Sequence, residues 1–255
     1  MTAAPQVVVL ADSNSLAAAT AARLVTAIID AQAATGSASV VLTGGRTGTA
    51  VLAQVLAVPA KDAVDWSRVD FYWGDERFLP AGDPDRNETQ AREAFLDHLP
   101  VDPARVHVME PSDGKFGDDP DAAAEAYARL LVAKAPGEET VPAFDVCLLG
   151  VGEEGHTASI FPDSPAVHET DRTVVAVRDC PKPPPTRVSL TLPAIRRSRE
   201  VWLLTGGESK ADAVGLALDG ATEVDIPAAG ARGRSRTVWL LDKAAAAKAP
   251  GTHRA

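Results

Sequence analysis

One histidine in a glycine-rich turn is the residue of this chain best suited by type and spacing to move a proton. In Gly150-Val151-Gly152-Glu153-Glu154-Gly155-His156 three glycines permit a tight backbone turn, and two carboxylates precede the imidazole. A neutral imidazole is a general base near pH 7, and Glu154 is close enough in sequence to orient the ring. The residues from His156 to Pro162 read as a brief helix, whose N-terminus would disfavour the imidazolium and keep the ring deprotonated. The apolar run 144–149 reads as a buried strand. His156 would then lie outside a strand's carboxyl end, where open α/β sheets bind ligands.

The spacing Gly150-x-Gly152-x-x-Gly155 also matches a dinucleotide-binding turn. Glu153 and Glu154 argue against that use, since both would set negative charge beside a pyrophosphate, and too few residues follow before Pro162 to form the long helix required.

A second turn, Thr43-Gly44-Gly45-Arg46-Thr47-Gly48-Thr49, joins a strand over 39–42 to a helix running to Leu56. Its backbone N–H groups and the hydroxyls of Thr43 and Thr47 suit a phosphate, while the missing Gly-Lys-Ser/Thr ending excludes a P-loop. Arg46 falls at the positive end of the helix dipole, where a cation is disfavoured unless an anion sits beside it. Lys210 repeats the situation in the first turn of a helix after Gly206-Gly207. Asp75-Glu76-Arg77 ends an apolar strand over 69–74 and adds charge at another carboxyl end. Asn87 reads as the N-cap of a helix over 88–98.

The elements that must position these residues alternate. Strands are expected over 6–10, 39–42, 69–74, 144–149, 173–177, 201–204 and 237–241, with a short one over 105–109, and 187–192 is extended. Helices include 13–34, capped by Ser13 and closed by Gly36, and one opened by Asp119-Pro120. This alternation predicts an α/β fold, a doubly wound, mostly parallel, Rossmann-like sheet with helices on both faces. The turns at Thr43, Asp75, Gly150 and Gly206 would meet on one rim. Pro181-Lys182-Pro183-Pro184-Pro185 should be a stiff rim loop, and Arg196, Arg197 and Arg199 should face solvent. Residues 1–241 read as one catalytic domain, and 242–255 as an alanine-rich tail that begins as a helix and frays.

A net charge of −10 and a pI near 5.0 argue against a general nucleic-acid or anionic-membrane binder, though not against a locally basic pocket. Two cysteines, Cys147 and Cys180, make no disulfide framework or metal-ligand spacing. No apolar stretch reads as a membrane span and no signal-peptide pattern opens the chain, so a cytoplasmic protein is expected.

Thr43-Gly44-Gly45, Asp75-Glu76-Arg77, Gly150-x-Gly152-x-x-Gly155-His156-Thr157-Ala158-Ser159-x-Phe161-Pro162, Arg187-Val188-Ser189-Leu190-Thr191 and Gly207-x-x-Lys210 together resemble the 6-phosphogluconolactonases, of the glucosamine/galactosamine-6-phosphate isomerase superfamily. The resemblance runs from about residue 6 to Leu241. It implies the sheet shared with sugar-phosphate isomerases and deaminases, and a cytosolic hydrolase that opens 6-phospho-D-glucono-1,5-lactone in the pentose phosphate pathway without cofactor or metal. By the same resemblance His156 is the base, Glu154 and Asp75 stand with it, and Arg77 or loop amides stabilise the oxyanion. Thr43, Gly44, Gly45, Arg46, Thr47, Asn87, Gly152, Arg187 and Lys210 would hold the sugar phosphate. Two positions depart from the family pattern, with Glu154 where aspartate is usual and Arg46 where a small polar residue is common. A deaminase is disfavoured because Phe161 stands where that family carries a ring-opening glutamate. A sugar-phosphate sensor is disfavoured because no DNA-binding module precedes the first strand.

Overall fold

Valine- and leucine-rich runs of five to seven residues, too uniformly apolar for one-sided strands, stack side by side with both faces covered except along the first, edge run, where Val7 and Val9 are exposed. In the computed structural model, which describes residues 4–250, they form a six-stranded parallel sheet. The chain runs β1 (Gln6–Leu10), α1 (Ser13–Thr35), β2 (Ala38–Leu42), α2 (Gly45–Val55), β3 (Val69–Trp73), β4 (Asp75–Arg77), α3 (Asn87–Ala94) and α4 (Pro120–Lys134). It continues through β5 (Val146–Gly150), β6 (Val174–Val177), β7 (Arg187–Leu190), α5 (Leu192–Ile195), β8 (Glu200–Thr205), α6 (Ala211–Leu218), α7 (Pro227–Gly230) and β9 (Arg236–Asp242). The sheet order is β1-β9-β8-β5-β2-β3. Leu42 lies opposite Trp73, Val41 opposite Cys147 and Gly150 opposite Leu204, so these strands end on a common rim.

The sequence does not announce a second, antiparallel sheet, β4-β7-β6. Gly74 is the joint between the two. Its N–H donates to Leu42 O at 3.0 Å in the large sheet, and its carbonyl accepts from Leu190 N at 2.8 Å in the small one. Asp75 is thereby carried off the parallel sheet and set opposite Ser189, with Arg77 opposite Arg187.

Helix α1 lays Leu16, Thr20, Leu24 and Ile28 against β2 and β9 and packs beside α2. Each such buried aliphatic side chain contributes about 1.5–3 kcal/mol. By length and composition alone α1 could cross a membrane, contrary to the sequence reading, although its apolar stripe is used here in the core. Its cap is Asp12, whose carboxylate accepts from Ser15 N at 2.7 Å. Ser13, expected in that role, donates instead to Asp242 Oδ2 at 2.8 Å. Gly36 closes the helix as expected, at φ +82°.

Other expectations need correction. Residues 105–109 form no strand, only a single bridge from Val106 to Phe71. Arg196 is tied to Glu223 and to Gly230 O, and Arg197 to Glu139, leaving Arg199 as the exposed member of the three. The alanine-rich segment after β9 makes one 3-10 turn, Ala245–Lys248, which buries Ala245 and Ala246 and packs on α6. Residues 251–255 of that expected tail lie outside the described residues.

Candidate active site

A cleft of about 250 Å³ opens at the carboxyl rim. Four chain segments that are distant in sequence, at Thr43, Asp75, Gly150 and Gly206, line it together, as the alternation of elements requires. Thr43, Gly44, Gly45, Arg46, Thr47, Asp75, Arg77, Asn87, Gly152, His156, Arg187 and Lys210 all reach its wall. Glu154 does not; it stands behind the histidine.

At the end of the cleft lined by Thr43 to Gly48, α2 begins without a side-chain cap. Asp12, Asp119 and Thr191 cap α1, α4 and α5, whereas Gly44 offers none. The first N–H groups of α2 are therefore left for a ligand. Gly45 takes φ +75°, which admits it to the turn with little strain. Thr43 Oγ1 accepts from Gly150 N at 3.2 Å and fixes this turn to the one bearing the histidine. The Arg46 side chain is exposed and makes no hydrogen bond or ion pair among the described residues.

Asn87 explains why position 44 is glycine. A Cβ there would lie 1.8 Å from Asn87 Oδ1. The amide is held by donation from Nδ2 to Asp75 O at 2.8 Å. Asn87 is the first residue of α3 rather than its cap, and the capping acceptor comes from β4. Glu76 accepts from Asn87 N at 2.6 Å, Glu88 N at 2.8 Å and Arg77 N at 2.8 Å. Arg86, fully buried, lies 3.7 Å from the same carboxylate. Burial pushes the Glu76 carboxyl up to about 7 even though Arg86 and the three N–H groups pull the other way.

The histidine turn is not a helix start. Residues 156–162 form turns, with Gly152 N donating to His156 O at 2.9 Å and Thr157 Oγ1 to Gly150 O at 2.9 Å. Gly155 makes the reversal at φ +87°. The expected helix dipole is therefore absent, and a different cause keeps the ring neutral. Burial lowers the His156 pKa, and it prevails over the opposing pull of Glu154. The ring stacks on Phe161 at 4.4 Å between centroids and rests on Gly152, where a Cβ would come within 2.0 Å of Nδ1. Glu154 Oε1 lies 3.2 Å from the buried Nδ1, which leaves Nε2 as the nitrogen for the cleft.

Lys182, read from sequence only as part of a stiff loop, also lines the cleft, and its Nζ donates to Glu154 Oε2 at 2.8 Å. Burial alone would raise the Glu154 pKa. The Lys182 hydrogen bond and the nearby cations outweigh it and hold the carboxyl below its ordinary value. The signal in sequence was a lone lysine among prolines, a rigid mount for one long side chain. Arg187 anchors that mount, donating to the carbonyls of Lys182, Pro183 and Pro184 at 3.1–3.2 Å. Asp75 accepts from Ser159 Oγ at 2.7 Å and lies 3.9 Å from Arg187. Arg77 donates to Asp85 O and keeps a buried Nε without a partner. Lys210 sits in a 3-10 turn just before α6 and is already matched, 3.0 Å from Glu153 and 2.8 Å from Ser209 Oγ. Among the described residues no cluster of histidine, cysteine or carboxylates could hold a metal ion.

A family model for glucosamine-6-phosphate isomerases/6-phosphogluconolactonase matches residues 11–239. The 6-phosphogluconolactonase of Streptomyces coelicolor is 60% identical over 98% of this chain and 97% of its own. The chain belongs to this family, in its lactonase branch. With that branch it belongs to the carboxylic ester hydrolases. The Mycobacterium tuberculosis 6-phosphogluconolactonase is 56% identical over 94% of this chain and 96% of its own. The solved 6-phosphogluconolactonase of Trypanosoma brucei superimposes with a TM-score of 0.78 at 30% identity, over 95% of this chain and 98% of that one.

Proposed function

We propose that the protein hydrolyses 6-phospho-D-glucono-1,5-lactone to 6-phosphogluconate in the cytoplasm, with His156 as general base. The observation that carries this reading is the joining, in one cleft, of an uncapped helix N-terminus among cations and a half-buried imidazole of lowered pKa. The first suits a phosphate dianion and the second suits a water that must be deprotonated.

The phosphate docks on the N–H groups at the start of α2, with Arg46 and Lys210 beside it. His156 Nε2 takes a proton from water as the water oxygen bonds to the lactone carbonyl carbon. Charge moves to the carbonyl oxygen, where Arg77 or the turn amides stabilise it. As the tetrahedral species collapses, the bond to the ring oxygen breaks, and the imidazolium returns its proton to that oxygen. The new carboxylic acid then releases a proton to solvent. Phe161 favours this reading over a deaminase: the position that would need a ring-opening carboxylate holds a buried phenyl stacked on the imidazole.

The test is continuous measurement of acid release after purified protein meets freshly prepared 6-phosphogluconolactone. Release well above the spontaneous rate, saturable in lactone and competed by 6-phosphogluconate, is expected. Release no faster than in buffer would overturn the proposal.

A further inference from the structure

Glu154 has one carboxylate and two claimants, a lysine and an imidazole. Its Oε2 accepts from Lys182 Nζ at 2.8 Å. Its Oε1 lies 3.2 Å from His156 Nδ1, yet that buried nitrogen makes no hydrogen bond of adequate geometry. A carboxylate fully committed to an imidazole fixes the ring and stabilises its protonated form. Here that commitment is divided.

The division is built in. The loop carrying Lys182 is fastened by the three carbonyl contacts of Arg187 and by Cys180 N donating to Pro185 O at 3.0 Å, so the lysine stem starts from a fixed point. On the other side there is no slack. A Cβ on Gly152 would meet Glu154 Oε2 at 2.9 Å as well as the ring, and Phe161 covers a ring face. The remaining charge facing the imidazole is Asp75 on β4, itself matched by Arg187 on β7 and by Ser159. Lys182 and Asp75 act on His156 in opposite senses, the lysine against the imidazolium and the carboxylate for it.

We propose that Lys182 is a positioning residue for His156: by engaging Glu154 it limits the negative charge delivered to Nδ1, and so sets the pH at which His156 becomes free to act as a base. The inference rests on the reading of His156 as the base. Lys182 meets the carboxylate on the Nδ1 side of the ring, whereas water is activated at Nε2, so beyond the direct repulsion of its charge it works through Glu154 and not on the reacting atoms. Without the lysine, Glu154 pairs with the imidazole alone and holds the proton on it to higher pH.

The experiment follows the His156 Cε1–H resonance by NMR as a function of pH, without substrate, in the wild type, Lys182→Gln and Lys182→Arg, with the kcat/KM profile measured alongside. Lys182→Gln should raise the His156 pKa by roughly one unit, the scale for a single charge within about 4–6 Å. The acid limb of kcat/KM should move with it, and Lys182→Arg should return both toward wild type. On a Glu154→Gln background the shift from Lys182→Gln should shrink to less than half. An unchanged titration in Lys182→Gln overturns the proposal, even where activity falls. An equal shift with and without Glu154 overturns it too. Absence of lactone hydrolysis by the wild type would sink the proposed function and leave the NMR result standing, so the two failures are distinguishable.

Discussion

Replacing Gly152 by alanine separates a site built around the His156 ring from one in which the histidine is incidental. The backbone at Gly152 does not take positive φ, so alanine fits it without conformational strain. The side chain does not fit. Its Cβ would stand 2.0 Å from His156 Nδ1, 2.1 Å from Cε1 and 2.9 Å from Glu154 Oε2. Carbon in contact needs about 3.5–4.0 Å, so the imidazole must retreat by roughly 1.5 Å, and Phe161 closes one of its faces. A displacement of about 1 Å at a reacting group costs about 10²-fold, and complete loss of a general base about 10²–10⁴-fold. Gly152→Ala should therefore lower kcat by at least about 10²-fold. Overpacking should cost about 1–3 kcal/mol of stability, a smaller penalty if the ring escapes into the cleft. Stopped-flow acid release gives kcat, and thermal melts with and without 6-phosphogluconate give fold and binding on the same preparation. A variant that turns over within about threefold of wild type would refute the placement of His156 as the base.

Gly44→Ala would drive a Cβ to 1.8 Å from Asn87 Oδ1 and should raise KM for phosphorylated lactone more than it lowers kcat, as steady-state kinetics would show. Arg46→Ala should leave the ligand-free melting temperature unchanged or slightly higher while weakening 6-phosphogluconate by roughly ten- to a hundredfold, the scale of about 1.5–3 kcal/mol for a hydrogen bond to a charged group, measured by calorimetric titration. Lys210→Ala differs, because it also strips Glu153 of its partner, so no gain in ligand-free stability is expected. Glu76→Ala removes one of the two carboxylates at the buried Arg86, leaving Glu88 at 3.3 Å, and strips three N–H groups of their acceptor, so it should cost about 1–3 kcal/mol in urea melts. The depressed His156 pKa places the acid limb of kcat/KM below the ordinary histidine value of about 6.5. The sign for stability follows: the unfolded chain takes up that proton first, so this group's contribution is intact above about 6.5 and is lost as pH falls through the folded pKa. A pH profile and melts across the same range check both.

Much of the site was legible because it is local. A strand, two glycines and a helix announce the turn at Thr43, and a glycine triplet announces the bend before His156. The parallel order of alternating elements then brings both to one rim. What escaped depends on contacts between distant segments. Nothing near Asn87 says that its helix is capped by Glu76, eleven residues earlier on β4. Nothing near Glu154 points to Lys182, twenty-eight residues on, as its partner. The short helix expected after His156 failed because Gly155 and the bridge between Thr157 and Ile160 fold those residues into successive turns, so burial rather than a helix dipole lowers the pKa of the ring. The small sheet was hidden for a similar reason. β4 has only three residues, and only the two-sided hydrogen bonding of Gly74 shows that the chain changes sheets there.

The measurement that bears most directly on His156 as the base is acid release from 6-phosphogluconolactone by His156→Ala, with 6-phosphogluconate binding followed on the same protein. Turnover should fall by roughly 10²- to 10⁴-fold, while the product still raises the melting temperature, because the proposed phosphate turn at α2 does not depend on the imidazole. Near-normal turnover in that variant would contradict the account and move the chemistry to another group in the cleft.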